Sequence, residues 1–143
     1  MKLIIVQGIP GSGKSTWARN YIKEREPNEI VIVNRDSIRE MLGTYWVPDR
    51  EPLVSEIEMF MIEEALNRKY DVIIDATNLN PKTIKKWNRI AKEWDAEITY
   101  KKFPIALEEA IERDKNRERT VGEDTIRYFY NKYKDYFEDV EIE

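Results

Sequence analysis

The sequence predicts an α/β fold, a central parallel sheet of about four strands flanked by helices on both faces. Three observations predict it. Short, apolar, β-branched runs alternate along the chain with longer segments of helical period, the pattern of parallel strands joined by right-handed helical crossovers. The first run leads straight into a glycine-rich stretch and then a helical segment. Polar residues stand just after each of the first three runs, where ligands bind beyond the carboxyl ends of such a sheet. At 143 residues the chain suits one domain with one core.

The elements follow in order. Lys2–Gln7 is a buried strand ending at a Gly-Pro-Gly turn, and Lys14–Glu24 is a helix stopped before Pro27. Glu29–Asn34 is a second buried strand. Ser37–Leu42 is a short helix that Ser37 or Asp36 can cap and Gly43 ends. Thr44–Glu51 has no period and two large aromatics, so it reads as a loop. Leu53–Lys69 is a long amphipathic helix, with apolar residues at 53, 54, 57, 60, 61, 65 and 66. Asp71–Ala76 is the third buried strand. Pro81 suits the first turn of a helix reaching about Trp94. Glu97–Phe103 alternates with a period of two and belongs at an edge. Ile105–Asn116 and Asp124–Phe137 are helices, with the charged segment Arg117–Glu123 between them.

Composition removes whole classes of chemistry. There is no cysteine and no histidine. Disulfides, thiolate nucleophiles, histidine bases and Cys/His zinc sites are excluded. Acid–base work falls to carboxylates, Lys or Tyr, and any metal is a hard, oxygen-bound ion such as Mg²⁺. The longest apolar runs are four residues, too short for a membrane span or signal core, so the expectation is a soluble cytoplasmic protein without a membrane partner. The 24 basic and 28 acidic residues give a net charge of −4, which speaks against gripping a long duplex. Five of the acids fall within the last nine residues.

Gly8-Ile9-Pro10-Gly11-Ser12-Gly13-Lys14-Ser15 matches G-x-x-x-x-G-K-[ST] in full. Glycines let the loop curl so that backbone N–H groups converge on anionic oxygens. The following helix adds its positive end. Lys14 then reaches the β- and γ-phosphates and the Ser15 hydroxyl binds Mg²⁺. The four fixed positions arise by chance in roughly one chain of this length in two hundred, and the strand-before, helix-after context is also present.

Asp36 lies past the second strand at a helix start, where a carboxylate is held as the anion. With no histidine in the chain, it is the best-placed acceptor of a proton from an attacking hydroxyl. Arg39, three residues on, shares its helical face and suits an acceptor that carries an anionic group. Asp75 ends the third strand, the usual place for an acid that holds the Mg²⁺ hydration shell. Thr77 and Asn78 follow as neutral hydrogen-bonding groups that serve either the site or a turn before Pro81. Arg113, Lys115, Arg117 and Arg119 crowd one helix end and the loop after it. Arg113 and Arg117, four apart, are expected on one face, clamping the transferring phosphoryl group. Lys115 reads as a solvated charge.

In this order PGSGKSTWAR (Pro10–Arg19), NRDSIR (Asn34–Arg39), TNLNP (Thr77–Pro81) and Arg113-xxx-Arg117 resemble the 5′-kinase domain of phage-type polynucleotide kinase and its P-loop relatives, over nearly the whole chain. The resemblance implies a P-loop kinase fold and direct transfer of an NTP γ-phosphate to the 5′-hydroxyl end of DNA or RNA. It implies ATP or another NTP as donor and Mg²⁺ as cofactor. It places the donor on Gly11, Ser12, Gly13, Lys14, Ser15 and Thr16, with Arg117 as lid arginine and Arg113 in support. Asp36 is implied as the general base, and Arg39 as the grip on the phosphate 3′ of the acceptor nucleotide. Thr77 and Asn78 are implied nearby, and Val121 against the terminal base. Ser15 and Asp75 are implied at the metal.

Two departures stand out. Phage-type members carry the acid directly before the Thr-Asn pair; here Ala76 fills that place and Asp75 is one residue earlier, which reverses side-chain direction at a strand end. The D-x-D-G-T motif of the phage enzyme's phosphatase domain does not occur. The expectation is a single kinase domain over 1–143, with a lid around 113–123 and no 3′-phosphatase activity. A P-loop kinase for a small-molecule hydroxyl, such as a nucleoside, sugar derivative or antibiotic, shares every one of these parts. So, without an acceptor, does an NTP-binding module. The charge balance favours an acceptor that offers a few nucleotides of one single-stranded end.

Overall fold

A computed structural model describes residues 1–27, 29–118 and 120–138. Four strands form one sheet: β1 (Lys2–Gln7), β2 (Ile30–Asn34), β3 (Asp71–Asp75) and β4 (Glu97–Lys102). All pairings are parallel, and the order is β2-β3-β1-β4. Six α-helices accompany them among the described residues: α1 (Lys14–Lys23), α2 (Arg35–Met41), α3 (Glu51–Asn67), α4 (Pro81–Glu93), α5 (Leu107–Lys115) and α6 (Glu123–Tyr133).

Strand side chains alternate between the two faces. Leu3, Ile5, Val33, Val72 and Ile74 point to one side, where α3 and α4 bury Ile62, Leu66, Trp87 and Ile90 against them. Ile4, Val6, Ile30 and Ile73 point to the other, onto Ala18 and Trp17 of α1. A third cluster, Ile9, Leu79, Ile105, Ala110, Ile111 and Ile126, fixes α5 and α6 beside the glycine loop. Central strands are thus buried on both faces and read as continuous apolar runs. As expected, β4 lies at the sheet edge; it is largely exposed, with Ile98 and Lys102 partly covered.

Register decides what shares the carboxyl edge. Asn34 pairs with Asp75, Asp75 with Val6, and Gln7 with Lys102. The residues after β1, β2 and β3 therefore open onto one side.

Several expected boundaries move. The α2 helix starts at Arg35, and its cap is Asn34, whose Oδ1 accepts from the Ser37 N–H at 2.9 Å; neither Ser37 nor Asp36 caps it. The expected loop at Thr44–Glu51 contains a 3₁₀ turn, Pro48–Arg50, that runs directly into α3. The last expected helix is two pieces, α6 and a 3₁₀ turn over Lys134–Phe137. Because α5 ends at Lys115, Arg117 stands beyond it, so Arg113 and Arg117 do not share a helical face. Arg119 and the acidic residues from 139 onward lie outside the described residues. No helix among the described residues is long and apolar enough to cross a membrane.

Candidate active site

The glycine loop curls between β1 and α1. Gly11 and Gly13 have φ of 86° and 96°, the left-handed region open to glycine at no steric cost. A Cβ on Gly11 would stand 3.0 Å from the Ala110 carbonyl oxygen, so α5 passes directly against the loop. The Gly8 N–H donates to the Thr77 carbonyl at 3.2 Å, tying the loop to the end of β3. The Ser12 hydroxyl is buried and without a hydrogen-bond partner among the described residues, and it lines the cleft. A buried polar group of this kind calls for an absent acceptor or donor; a phosphate oxygen fits.

Lys14 is half-buried and bends back so that Nζ donates to the Ile9 carbonyl at 3.2 Å. Burial pushes its ammonium down to about 8, against the pull of Asp75 and Asp36, and nearby Arg117 lowers it further. An anion placed there would reverse that shift.

Ser15 Oγ donates to Asp75 Oδ2 at 2.7 Å, and Asn34 Nδ2 donates to the same oxygen at 2.8 Å. A hydroxyl and a carboxylate are hard oxygen donors and fit Mg²⁺. No group of three or more acidic residues capable of holding a metal occurs among the described residues. Ser15 and Asp75 thus supply part of a coordination shell, which suits an ion that keeps waters and substrate phosphates.

Opposite stands a charge network built from side chains. The Asp36 carboxylate is 48% exposed, and its Oδ1 accepts from Arg39 Nη1 at 2.7 Å and from the Tyr45 hydroxyl at 2.8 Å. Arg39 also donates from Nε and Nη2 to the two oxygens of Glu51, at 3.0 and 2.6 Å. Arg35 reaches Glu51 at 3.4 Å, Ser55 at 2.9 Å and Glu58 at 3.1 Å. Glu58, 2% exposed, anchors the far end. Hydrogen bonding to Glu51 holds the Arg39 guanidinium charged well above its ordinary range, and the same bond holds the Glu51 carboxyl below its own. Burial, then the Asp36 bond, pushes the Tyr45 hydroxyl up to about 12.

On the side where a lid is expected, Asp114 ties the chain down. Its buried carboxylate accepts the N–H groups of Val121 and Gly122 at 2.9 and 3.0 Å, with Arg117 Nη1 at 4.0 Å. Arg113 donates to the Gly11 carbonyl at 3.2 Å and to Glu109 at 2.6 Å.

One cleft of about 1740 Å³ opens among these parts. Gly11 to Thr16, Asp36, Arg39, Asp75, Thr77, Arg113, Arg117 and Val121 all face it. Asn78 does not. Its side-chain amide donates to the carbonyls of Val6, Ile74 and Ala76, and its oxygen accepts from Trp87 Nε1. Expected at the acceptor, it is instead a buried brace under the loop, at φ 53°, a conformation Asn tolerates.

Sequence reasoning passed over Glu51 and Asp114 as site parts, and it offered Tyr45 as a base-stacking ring rather than as a hydrogen-bond partner of Asp36. Asp114 carried a readable signal: with Ala110 and Ile111 it makes a three- and four-residue spacing on the buried face of α5. Glu51, twelve positions from Arg39, carried none.

The family described as an AAA domain matches residues 3–139. The L-seryl-tRNA(Sec) kinase of Methanococcus maripaludis is 31% identical over 135 residues, covering 92% of this chain and 52% of that protein. A protein of Autographa californica nuclear polyhedrosis virus, provisionally named a bifunctional polynucleotide kinase/RNA ligase, is 27% identical over 92% of this chain and 21% of its own length. A chain of the Pnkp1/Rnl/Hen1 RNA repair complex superposes with a TM-score of 0.84 at 28% identity, covering 99% of this chain and 47% of that one. The chain therefore spans about half the length, or less, of these relatives. It belongs to the AAA domain family, and its fold and phosphate loop are those of a P-loop kinase.

Proposed function

We propose that this chain transfers the γ-phosphate of an NTP to the 5′-hydroxyl end of DNA or RNA. The observation that carries the reading is Asp36: a carboxylate on the cleft wall, oriented by Arg39 and Tyr45, facing the same space as Lys14. Both of those bonds fall on Oδ1, so Oδ2 is the atom that takes the proton of the attacking hydroxyl. Glu51 and Asp36 engage three of the five N–H groups of Arg39; the others grip the phosphate on the 3′ side of the acceptor nucleotide. Val121 packs against its base, and Thr77 borders it. The donor triphosphate lies along Gly11 to Thr16, with Lys14 and Arg117 neutralising charge on the transferring group. Mg²⁺, held by Ser15 and Asp75, supplies charge neutralisation on the donor phosphates when bound. The reaction is direct transfer, since no nucleophilic side chain is required.

The similarity to a chain of an RNA repair complex supports this reading. A second reading has support from the kinase whose printed name is L-seryl-tRNA(Sec) kinase: a hydroxyl carried on a tRNA-borne or small acceptor would use the same base and cradle. The test is transfer of labelled γ-phosphate to a 5′-hydroxyl oligonucleotide. Asp36→Ala should slow transfer by on the order of a hundredfold or more while NTP affinity stays nearly intact. A collapse of NTP affinity would make Asp36 structural, and absence of transfer to any DNA or RNA end by the intact protein overturns the reading.

A further inference from the structure

The loop between α2 and α3 holds a residue that phosphoryl transfer does not use. Trp46 is 57% exposed, whereas Trp87 is buried and Trp17 and Trp94 are partly covered. The indole faces the same cleft as Asp36. The Arg39 guanidinium carbon stands 5.5 Å from its ring centroid and 5.9 Å from that of Tyr45. The Tyr45 hydroxyl is fixed on Asp36, so the next residue, Trp46, is held in step with that carboxylate.

A carboxylate, a guanidinium and an open aromatic face therefore follow one another along the cleft wall. A nucleic-acid strand entering by its end offers a hydroxyl, a phosphate and a base in the same succession. Aromatic faces bind bases by stacking, with little regard to sequence. Val121 lies on the lid side of the cleft, tied to α5 through Asp114, and takes the terminal base in the reading above. The ring beside Arg39 is left for the next one.

We propose that Trp46 is a stacking platform for the second base of the acceptor strand, and that it makes unpaired 5′ ends the preferred substrate. The proposal rests on the polynucleotide reading of the site. Inside a duplex both faces of the second base are covered by its neighbours. Only a single-stranded or frayed end can offer one to the indole. A small hydroxyl acceptor has no second base and gains nothing from the ring.

The experiment compares two 5′-hydroxyl DNA oligonucleotides that differ only by an abasic second position. Wild type should favour the intact strand in kcat/KM by on the order of tenfold or more. That ratio should fall to near one in Trp46→Ala and be largely kept in Trp46→Phe. If Trp46 merely supports Arg39, the alanine variant slows both strands alike and the ratio survives, which overturns the proposal. A wild-type ratio near one, or discrimination only when the abasic site is at the first position, overturns it too. Quenching of tryptophan emission by the two strands, measured without NTP, is the second readout. If neither strand accepts phosphate, the kinase reading has failed on its own. Stronger quenching by the intact strand, lost in Trp46→Phe, then still supports the platform, and equal quenching or none overturns it.

Discussion

The two walls of the cleft solve the problem of holding anions in opposite ways. On the donor wall of the proposed reading, phosphate would meet the backbone N–H groups of one short loop, and the loop's own cation is uncomfortable. Lys14 is pushed down to about 8 by burial and, among the described residues, donates to the Ile9 carbonyl. Ser12 Oγ is buried without a partner among the described residues. On the acceptor wall the charges come from separate elements, and each is answered. Arg39 is held charged by Glu51, Glu51 is held ionised by Arg39 and Arg35, and Asp36 is braced by Arg39 and Tyr45. The difference teaches that one wall is completed by its ligand, while the other is built before its ligand arrives. Breaking a partner on the acceptor wall should then cost orientation, and changing charge on the donor wall should cost affinity.

Beyond the Asp36 test, the largest expected effect comes from Glu51→Gln. It removes the carboxylate that fixes Arg39 by two bonds, and it leaves Arg35 with Glu58 and Ser55. Both partners are mostly buried, so the loss should destabilise the fold by about 1–3 kcal/mol. The oligonucleotide KM should rise on the order of tenfold, with NTP affinity unchanged. Two effects compete here, since a less neutralised Arg39 also attracts phosphate more strongly. Orientation is expected to win, because the guanidinium must grip end-on while its side-on edge is engaged. A fall in acceptor KM would show instead that Glu51 competes with the incoming phosphate, and the contrast between the walls would fail.

The same contrast explains what could be read from the chain. The donor wall lies within eight consecutive residues whose types are forced by backbone geometry, so Gly11, Gly13, Lys14 and Ser15 were visible as a motif. Strands β1 and β3 were visible because burial on both faces leaves unbroken apolar runs; β2, expected to be buried, is an edge strand only partly covered, yet it carries a similar run. The acceptor wall was half visible. Asp36 and Arg39 sit three apart on one helix, but Glu51 meets them only through the fold, and helical period says nothing across the intervening loop. Asn78 was misread for a related reason. A polar residue after a strand is expected to face ligand, yet the left-handed turn there sends its amide inward, onto the carbonyls of three residues. Arg113 and Arg117 were expected on one helical face from their spacing alone, but α5 ends at Lys115, one residue short of the expected Asn116, and helical spacing does not apply to Arg117 beyond it.

A smaller effect is expected from Asp114→Asn, which asks whether the lid belongs to the built wall or the completed one. The carboxylate accepts two neighbouring backbone N–H groups. An amide oxygen can keep one, but its NH₂ would face the other donor. The cost is about 1–3 kcal/mol, because the site is buried, and it falls on the segment that positions Val121 and Arg117. Amide exchange at Val121 and Gly122 should quicken, and transfer should slow by several-fold to on the order of tenfold with both substrates still bound. Unchanged exchange at those two amides would show that the lid holds its shape without Asp114, and that Arg117 is placed by other means.

The smallest effect near neutral pH, about twofold at pH 8, concerns titration, and it separates the walls most cleanly. Burial pushes the Lys14 ammonium down to about 8. Bound phosphate favours the ammonium and raises that value, so nucleotide binding takes up a proton above pH 8 and none well below it. Donor affinity should therefore be nearly flat below pH 7, fall about twofold by pH 8, and fall about tenfold by pH 9. Acceptor affinity should stay flat over the same span, because Arg39 is held charged far above it. The empty fold responds with the opposite sign. Its Lys14 value lies below that of the unfolded chain, so the unfolded state binds more protons between about 8 and 10.5, and stability gains from this group as pH rises through that window. Calorimetric titration of NTP and of a 5′-hydroxyl oligonucleotide from pH 6.5 to 9 measures both affinities on one protein. If the donor curve is as flat as the acceptor curve, Lys14 is already satisfied in the empty loop, and the donor wall is no less complete than the one facing it.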